Sequence, residues 1–475
     1  MSLFLEKFLT SYSWLVFFLF LLLFVLLCAK EFTVPSELRH LPKVPILSLL
    51  YSYARGEVED SRIRRLLLPF ANKHREDIII KDLSHHIVQW PKEEPPDQML
   101  LWRFIGQKNI ILSNGELWKR HSRVVKSALN KNIPIADFVY LTNKLFSCMP
   151  DQGLVRWDEL TMRFTLDAVG TTALGYNFNT LDNPDSPFIK QYNAIMDGIA
   201  SPAHLVFPKI ETWFPRRKLI ALIDDLVDKF HGILEYKKNN KGNDMLTYML
   251  EEPDMTDEEY RDNMVVFFIA GHDTTAGALS SLAYYFAKHP DIQELARSEV
   301  LKILGPTEEP TLDKLRNLPF LDACIRESLR INTPITYMVP RVSSAPTELR
   351  GSSGKVYLLP ANTSTISNIY AVHHNEHHWP DPGRFDPRRF LNLDKQKEKT
   401  VDASLWMPFY VGPRQCPARN FAMYELRTLS SMLLRQYSWT LPSNSPHNDW
   451  PQNAFSPFAL SLPRNMDLNF IRQPS

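Results

Sequence analysis

The segment at 408–422, with the sequence PFYVGPRQCPARNFA, contains the residue best suited to chemistry, Cys416. Gly412 and Pro413 interrupt regular structure, because glycine tolerates unusual φ values and proline fixes φ and lacks an N–H. Apolar residues at helical spacing follow from Ala418 to Met432, so Cys416 is predicted to lie just before a helix N-terminus. The positive end of a helix stabilises an anion, and a thiolate there can bind a metal strongly. The alternative is that Cys416 is a small buried apolar residue, as isolated cysteines usually are.

A second candidate lies in the middle of a long apolar helix. Thr256 and Glu259 have the spacing of a capping box, and Pro290 ends a helix that runs to His289, a length of about 50 Å. The run AGHDTT at 270–275 places poor helix formers inside this buried helix. An apolar run would be more stable, so the pattern favours a functional role over a kink with satisfied polar groups. We predict a weakened turn at Gly271 that leaves space beside it.

Other sequence patterns predict the scaffold around these residues. Glu327 and Arg330 are three positions apart on a helix predicted at 319–331, so they can pair. Short β segments are predicted at 335–342, 355–359 and 363–369, and a β-rich tail after Arg435, whose residues 455–462 are candidates for pocket lining. The histidine run at 373–378 could suggest zinc. Prolines follow closely, however, and disfavour the helix that i, i+4 ligands would need.

Composition limits the classes of function. The chain has 475 residues and a net charge of +1, so no basic excess indicates nucleic acid. Four cysteines are scattered without C-x-x-C spacing, which argues against a disulfide framework or a zinc ribbon and fits a reducing compartment.

The N-terminus predicts a membrane anchor. Residues 14–29 are all apolar, and with two preceding residues they form a helix of about 27 Å. The run is longer than the apolar core of a cleaved signal peptide, the alternative here, and lacks a clear cleavage site. Basic residues follow it, which places the rest of the chain in the cytosol. We therefore divide the chain into an anchor at 1–30, a proline-rich hinge at 31–46 and a folded domain at 47–475.

The pattern Phe409-x-x-Gly412-x-Arg414-x-Cys416-x-Ala418 resembles the haem-binding loop of the cytochrome P-450 superfamily. The resemblance implies that Cys416 is the axial thiolate ligand of a haem b. It also implies that Phe409 packs beside the sulfur and that Arg414 pairs with a haem propionate. Alanine replaces the glycine that the family often has at 418.

Further resemblances follow in family order along the chain. The AGHDTT run is similar to the oxygen-activation segment, which implies catalytic roles for Asp273 and Thr274. Glu327 and Arg330 resemble a buried pair that an arginine joins from a downstream segment, here Arg389 of the run PRRF at 387–390.

The match to the family's haem-propionate positions is less complete. Trp118 and Arg341 match positions that contact the propionates, but Ser122 stands where the family has an arginine. His121 or Arg123 could substitute, and the alternative is that this helix simply has an exposed basic face.

The resemblance implies a mainly α fold with a small β region, preceded by one transmembrane helix. It implies a monooxygenase, eukaryotic and fungal-like and of secondary metabolism, that inserts one atom of O₂ into an apolar organic substrate. No electron-transfer module follows Cys416, so a separate NADPH-dependent reductase is expected, with the chain in the endoplasmic reticulum membrane facing the cytosol. Two other classes remain open: a haem-thiolate isomerase or dehydratase that needs no O₂, and a non-enzymatic haem binder in the membrane.

Overall fold

The computed structural model describes most of the chain that follows the predicted anchor and hinge. The described residues are 44–74, 91–96, 98–201, 203–204, 208–252, 255–350, 354–391, 405–454, 456 and 460–474. The predicted anchor and all but the last three residues of the hinge lie outside these ranges. Within them, none of the helices has both the length and the apolar character that crossing a bilayer requires.

Helices make up most of the described fold. In chain order they are α1 (Ile46–Ala54), α2 (Glu59–Arg62), α3 (Leu68–His74), α4 (Leu100–Ile105), α5 (Gly115–Lys131), α6 (Ile135–Ser147), α7 (Trp157–Val169), α8 (Pro187–Ile199), α9 (Ile210–Trp213), α10 (Arg217–Asn239), α11 (Met245–Leu250), α12 (Asp257–Lys288), α13 (Pro290–Leu304), α14 (Leu312–Arg316), α15 (Pro319–Ile331), α16 (Ile369–His373) and α17 (Arg419–Gln436). Short π-helical turns at Ile63–Leu67 and Gly170–Leu174 follow α2 and α7.

The strands are short and form small antiparallel sheets. They are β1 (Gln152–Arg156), β2 (Arg341–Val342), β3 (Thr347–Arg350), β4 (Val356–Leu359), β5 (Ser364–Thr365), β6 (Tyr437–Thr440), β7 (Asn453–Ala454), β8 (Leu462–Pro463) and β9 (Asp467–Arg472). One sheet has the order β1-β9-β6, and the others pair β2 with β5, β3 with β4 and β7 with β8.

The predicted β segments contain strands, but shorter ones. Residues 335–340 contribute only isolated bridges, in which Ile335 faces Leu460 and Tyr337 faces Asn368. A regular strand in this stretch begins only at Arg341. The predicted β-rich tail is confirmed by β6 to β9, although Phe455 and residues 457–459 lie outside the described part of the chain.

The long helix α12 begins and ends as the sequence predicts. The Thr256 side chain accepts from the N–H of Glu259 at 3.3 Å, and the Glu259 carboxylate accepts from the N–H of Thr256 at 2.7 Å. These reciprocal bonds satisfy donors that the first helical turn leaves free. The helix then runs for 32 residues, or about 48 Å, before Pro290 starts the next one.

Two apolar cores lie along α12. Its first half, from Tyr260 to Ile269, packs with residues of α4, α5, α8, α10 and α11. Its second half, from Ala278 to Ala287, packs with residues of α6, α7, α13, α15 and α17. The polar run at 270–275 therefore lies where the two cores meet, at the middle of the molecule.

Gly271 has a different role from the predicted one. The helix is continuous through this position, so the expected weakened turn is wrong. A Cβ atom on Gly271 would lie 2.7 Å from Cγ2 of Val169 on α7, closer than side-chain contacts allow. Glycine is needed here because α7 and α12 pack closely.

Candidate functional site

The segment that carries Cys416 folds back on itself immediately before α17. The backbone N–H of Cys416 donates to the carbonyl oxygen of Phe409 at 2.9 Å. Gly412 has φ of +75°, a conformation that glycine adopts without a steric cost. Because α17 begins at Arg419, the thiol lies at a helix N-terminus, as the sequence predicts.

The surroundings of the Cys416 thiol act on its pKa in opposite directions. Burial raises the pKa of Cys416, whereas a hydrogen bond from the backbone of Ala418 and the charge of Arg419 act to lower that pKa. The backbone donor and the cation favour a thiolate, and a metal ion bound to the sulfur would favour it further.

Arg414 projects from the same loop toward α5. Its Nη2 donates to the carbonyl oxygen of Ser113 at 2.7 Å, and its guanidinium carbon lies 4.2 Å from the ring centroid of Trp118. Its Nε is buried and has no hydrogen-bond partner among the described residues. This donor is therefore available to an acceptor that the protein itself does not provide.

Arg414 belongs to a group of three cations that we call the basic cluster: Lys92, Arg341 and Arg414. Lys92 and Arg341 face each other in an antiparallel bridge and are 6% and 3% exposed. Burial and the charges of Arg341 and Arg414 hold the pKa of Lys92 well below its usual range. Burial and the charge of Arg341 lower the pKa of Arg414 to about 9. Buried cations are costly without counter-charge, so the basic cluster fits an anion.

The two residues expected to compensate for Ser122 lie elsewhere. His121 is fully buried, with Nε2 3.4 Å from Oε1 of Glu259, and burial lowers its pKa. Arg123 is exposed. The buried cation beside Arg341 and Arg414 is Lys92, from the proline-rich segment at 91–96.

Together these residues fit a haem. The Cys416 thiol offers iron a soft sulfur donor, and the unpartnered Nε of Arg414 and the basic cluster suit the two carboxylates of the porphyrin. The loop brings the sulfur and the basic cluster close to each other, because Arg414 is two residues from Cys416.

The Asp273 carboxylate accepts a hydrogen bond from one side chain and lies close to a second. The Tyr192 hydroxyl on α8 donates to Oδ2 of Asp273 at 3.2 Å, and Nε2 of His272 lies 3.3 Å from Oδ1. Burial, followed by the charge of Asp273, raises the pKa of Tyr192 well above its usual range, so the phenol remains a donor. The carboxylate is 4% exposed.

Thr274 lies on a more open side of the same helical turn. Its Oγ1 donates to the carbonyl oxygen of Ala270 at 2.8 Å. Ala270 is exposed and Thr274 is half-buried, whereas Asp273 and Thr275 are buried. The acid and the hydroxyl predicted to act together are thus adjacent in sequence but differ in their access to solvent.

Glu327, Arg330 and Arg389 lie together as one ion cluster. Arg330 forms a two-bond pair with the Glu327 carboxylate, at 2.8 Å from Nε and 2.9 Å from Nη2. Arg389 donates from Nε to Oε1 of Glu327 at 3.2 Å. Glu327 and Arg330 are fully buried, and backbone carbonyl oxygens accept the other donors of Arg330. A buried charge group with its donors satisfied is a rigid structural element.

His373 connects the ion cluster to the cysteine segment. Its carbonyl oxygen accepts from Nη1 of Arg330 at 2.7 Å, and its Nε2 accepts from the N–H of Met407 at 2.9 Å. Accepting at Nε2 places the ring proton on Nδ1. The described part of the chain contains no group of three His, Cys, Asp or Glu side chains able to hold a metal, so the zinc alternative has no support there.

Sequence reasoning missed Lys92, Tyr192 and His373. Lys92 lies in a proline-rich loop with two glutamates, which looks like a solvated turn. Tyr192 has the helical spacing of a core aromatic residue, and nothing local distinguishes its hydroxyl. The lone signal for His373 was its place in the histidine run.

Comparisons with known proteins agree with this geometry. A sequence model described as cytochrome P450 matches residues 81–466 of the chain. Rat cytochrome P450 4F5 is 27% identical over 392 residues, which is 74% of this chain and 73% of the relative. Human cytochrome P450 4F11 is 29% identical over 75% of this chain and 74% of the relative. Mouse cytochrome P450 3A41 is 26% identical over 70% of each.

A solved structure shares the fold. The crystal structure of the haem domain of cytochrome P450DA superposes with a TM-score of 0.71 and covers 83% of this chain and 86% of that chain, at 20% sequence identity. The fold inferred from the sequence, mainly α with a small β region, is confirmed.

Proposed function

We propose that Cys416 is the iron ligand of this chain, which belongs to the cytochrome P450 family of haem-thiolate monooxygenases. We also propose that the protein inserts one oxygen atom of O₂ into an apolar organic substrate. The observation that carries the proposal is the position of the Cys416 thiol, at the N-terminus of α17 and two residues from Arg414, whose buried Nε has no partner among the described residues.

In this proposal the protein holds the cofactor at two ends. The sulfur of Cys416 would bind the iron, while the loop bond from its N–H to Phe409 fixes the sulfur's position. Arg414 and Arg341 would bind the propionates, and Trp118 packs on the guanidinium of Arg414. The haem, when bound, supplies the chemistry that activates O₂ and oxidises the substrate.

Asp273 and Thr274 would then deliver protons to the reacting oxygen. The Asp273 carboxylate can accept a proton from solvent and release it as a general acid. The Thr274 hydroxyl both donates and accepts, so exchanging its bond to Ala270 for one to water would carry a proton to the open side of α12. Tyr192 contributes by holding Oδ2 of Asp273 in place.

We also propose the cellular setting that the sequence predicts. Residues 1–30 would anchor the chain in the endoplasmic reticulum membrane, with the hinge at 31–46 and the domain from residue 47 in the cytosol. Electrons would come from a separate NADPH-dependent reductase in the same membrane. The apolar run at 14–29 and the basic residues after it support this topology.

The test of this function starts from the reduced protein with carbon monoxide. We expect the strongly red-shifted absorption band of thiolate ligation, and we expect Cys416→Ser to abolish it. Cys324→Ser is a matched control, because Cys324 is buried in an apolar core and does not belong to this loop. A band that persists in Cys416→Ser would remove Cys416 as the ligand.

Substrate turnover separates the remaining alternatives. A panel of terpenoid, fatty-acid and aromatic compounds is incubated with reductase, NADPH and ¹⁸O₂. We expect a product that carries one labelled oxygen. Product formation without O₂ or reductase would favour the isomerase or dehydratase, and haem loading without any turnover would favour a binding protein.

A further inference from the structure

Lys92 is the least expected member of the basic cluster. The family pattern predicts an arginine at 122 to bind a propionate, and this chain has Ser122, which has no charge and is 7% exposed. Lys92 comes from a different segment, 30 residues earlier in the chain. Lys92 as a residue is 6% exposed, and no salt bridge or side-chain hydrogen bond to a described residue neutralises its ammonium.

The backbone around Lys92 is firmly held. Its N–H donates to Oδ1 of Asn114 at 2.8 Å, and Nδ2 of Asn114 donates back to its carbonyl oxygen at 3.0 Å. On either side, Glu93 donates to Pro340 and Pro91 accepts from Val342. Backbone bonds on both sides therefore place Lys92 against the strand that carries Arg341.

The same asparagine also contacts Arg414. Nη2 of Arg414 lies 3.3 Å from Oδ1 of Asn114, the atom that binds the N–H of Lys92. One amide thus positions both cations. Because the three side chains carry like charges, and Lys92 and Arg341 are buried while Arg414 is half-buried, bringing them together without an anion would cost free energy.

We propose that Lys92 is a haem-propionate ligand of this protein, which replaces the cation lost at Ser122. This inference rests on the proposed haem site and adds to it a residue from the loop before α4. A lysine ammonium suits this role as a compact charge with three donors that can reach a carboxylate. The charge of the cofactor's carboxylates would offset the repulsion within the basic cluster.

The experiment measures the release of haem from the full-length holoprotein to an excess of apomyoglobin. The variants are Lys92→Met, which removes the charge and keeps an unbranched side chain, and Lys92→Arg, which keeps the charge. We expect haem transfer about tenfold faster or more in Lys92→Met, the usual effect of losing one charged hydrogen bond. Lys92→Arg should stay within about threefold of the wild type.

The matched control is Lys119→Met, on α5 next to Trp118, where the lysine is exposed and pairs with Glu116. It should not change the transfer rate. The reduction potential of the iron provides a second readout: it should fall in Lys92→Met, because removing a nearby cation favours the more positive ferric state. Should Lys92→Met give no holoprotein, Lys92→Gln takes its place in both assays.

Two results would overturn the inference. One is an unchanged transfer rate and potential in the neutral variant. The other is an equal acceleration in the neutral variant and in Lys92→Arg, which would assign Lys92 a packing role. Loss of the thiolate band in the wild type would instead defeat the proposed function, so the two failures are distinguishable.

Discussion

The phenol of Tyr192 on α8 and the carboxylate of Asp273 on α12 are joined by a hydrogen bond of 3.2 Å, and both residues are buried. Tyr192 also packs its ring against Phe268 and His272, one turn apart on α12. The side chain of the proposed proton donor is therefore fixed by a different helix from the one that carries it. Movement of α8 relative to α12 would change the position of the carboxylate.

Tyr192→Phe should destabilise the protein, because it removes a donor from a buried carboxylate. Hydrogen bonds to charged groups contribute about 1.5–3 kcal/mol, so we expect a loss of that size in thermal or urea unfolding of the holoprotein. Tyr285→Phe is the matched control, since the Tyr285 hydroxyl is equally buried and has no described partner. Equal stability of the two variants would mean that the Tyr192–Asp273 bond contributes nothing.

Thr274→Ala should uncouple the reaction. Alanine fits a helix, so haem content and the carbon-monoxide spectrum should not change. With reductase and a substrate, NADPH oxidation should continue while product falls and hydrogen peroxide rises, because the hydroxyl on the open side of the turn is gone. Thr275→Ala serves as the control, because Thr275 is buried. Undiminished product per NADPH in Thr274→Ala would count against the assigned role.

Glu327→Ala should largely prevent haem loading. It leaves Arg330 fully buried without its carboxylate, and breaking a buried pair costs on the order of 3–5 kcal/mol. Arg389→Ala should cost less, because Arg389 is partly exposed and the Glu327–Arg330 pair survives. The measurements are haem occupancy and thermal unfolding. Near-normal values in Glu327→Ala would show that the cluster is dispensable.

Glu425 on α17 should make stability depend on pH. It is 2% exposed, its Oε1 has no partner among the described residues, and burial raises its pKa well above the usual range. The folded state thus keeps a proton that the unfolded state releases above about pH 4.3. The free energy of unfolding should then fall by up to about 1.4 kcal/mol per pH unit as pH rises above that value.

Glu425→Gln should remove this slope and make the protein more stable than the wild type near pH 7. Glu294→Gln, at an exposed position, is the control. Urea unfolding at pH 5, 6 and 7 supplies the comparison. Parallel pH profiles for the wild type and Glu425→Gln would show that the carboxyl is ionised and paired in the folded protein.

Much of this architecture could be predicted because its signals are local. The capping box at Thr256 and Glu259, the proline at 290 and the Gly-Pro turn before Cys416 each act on their own neighbours. What the sequence could not reveal depends on contacts between distant segments. Gly271 looked like a weak turn, yet its role is set by Val169, about one hundred positions away.

The basic cluster shows the same limit. Arg341 and Arg414 were predicted from motifs, but Lys92 joins them through a bridge to Arg341, some 250 residues later, and through the amide of Asn114. No periodicity or spacing in residues 91–96 distinguishes a buried lysine from a solvated one. For His373, the zinc hypothesis considered the ring as a ligand, whereas the structure uses it as an acceptor for the backbone of Met407.

The strand order β1-β9-β6 has a consequence for biosynthesis. β9 is the middle strand, and Arg156 of β1 pairs with Asp467 across 311 positions of sequence. At about 5–20 residues per second, a ribosome needs on the order of tens of seconds to make that interval. During this time β1 and the apolar residues beneath it lack their partner. Leu468 and Phe470 of β9 are fully buried in the core, so truncation within β9 would remove apolar contacts that β1 and β6 cannot make before β9 is synthesised.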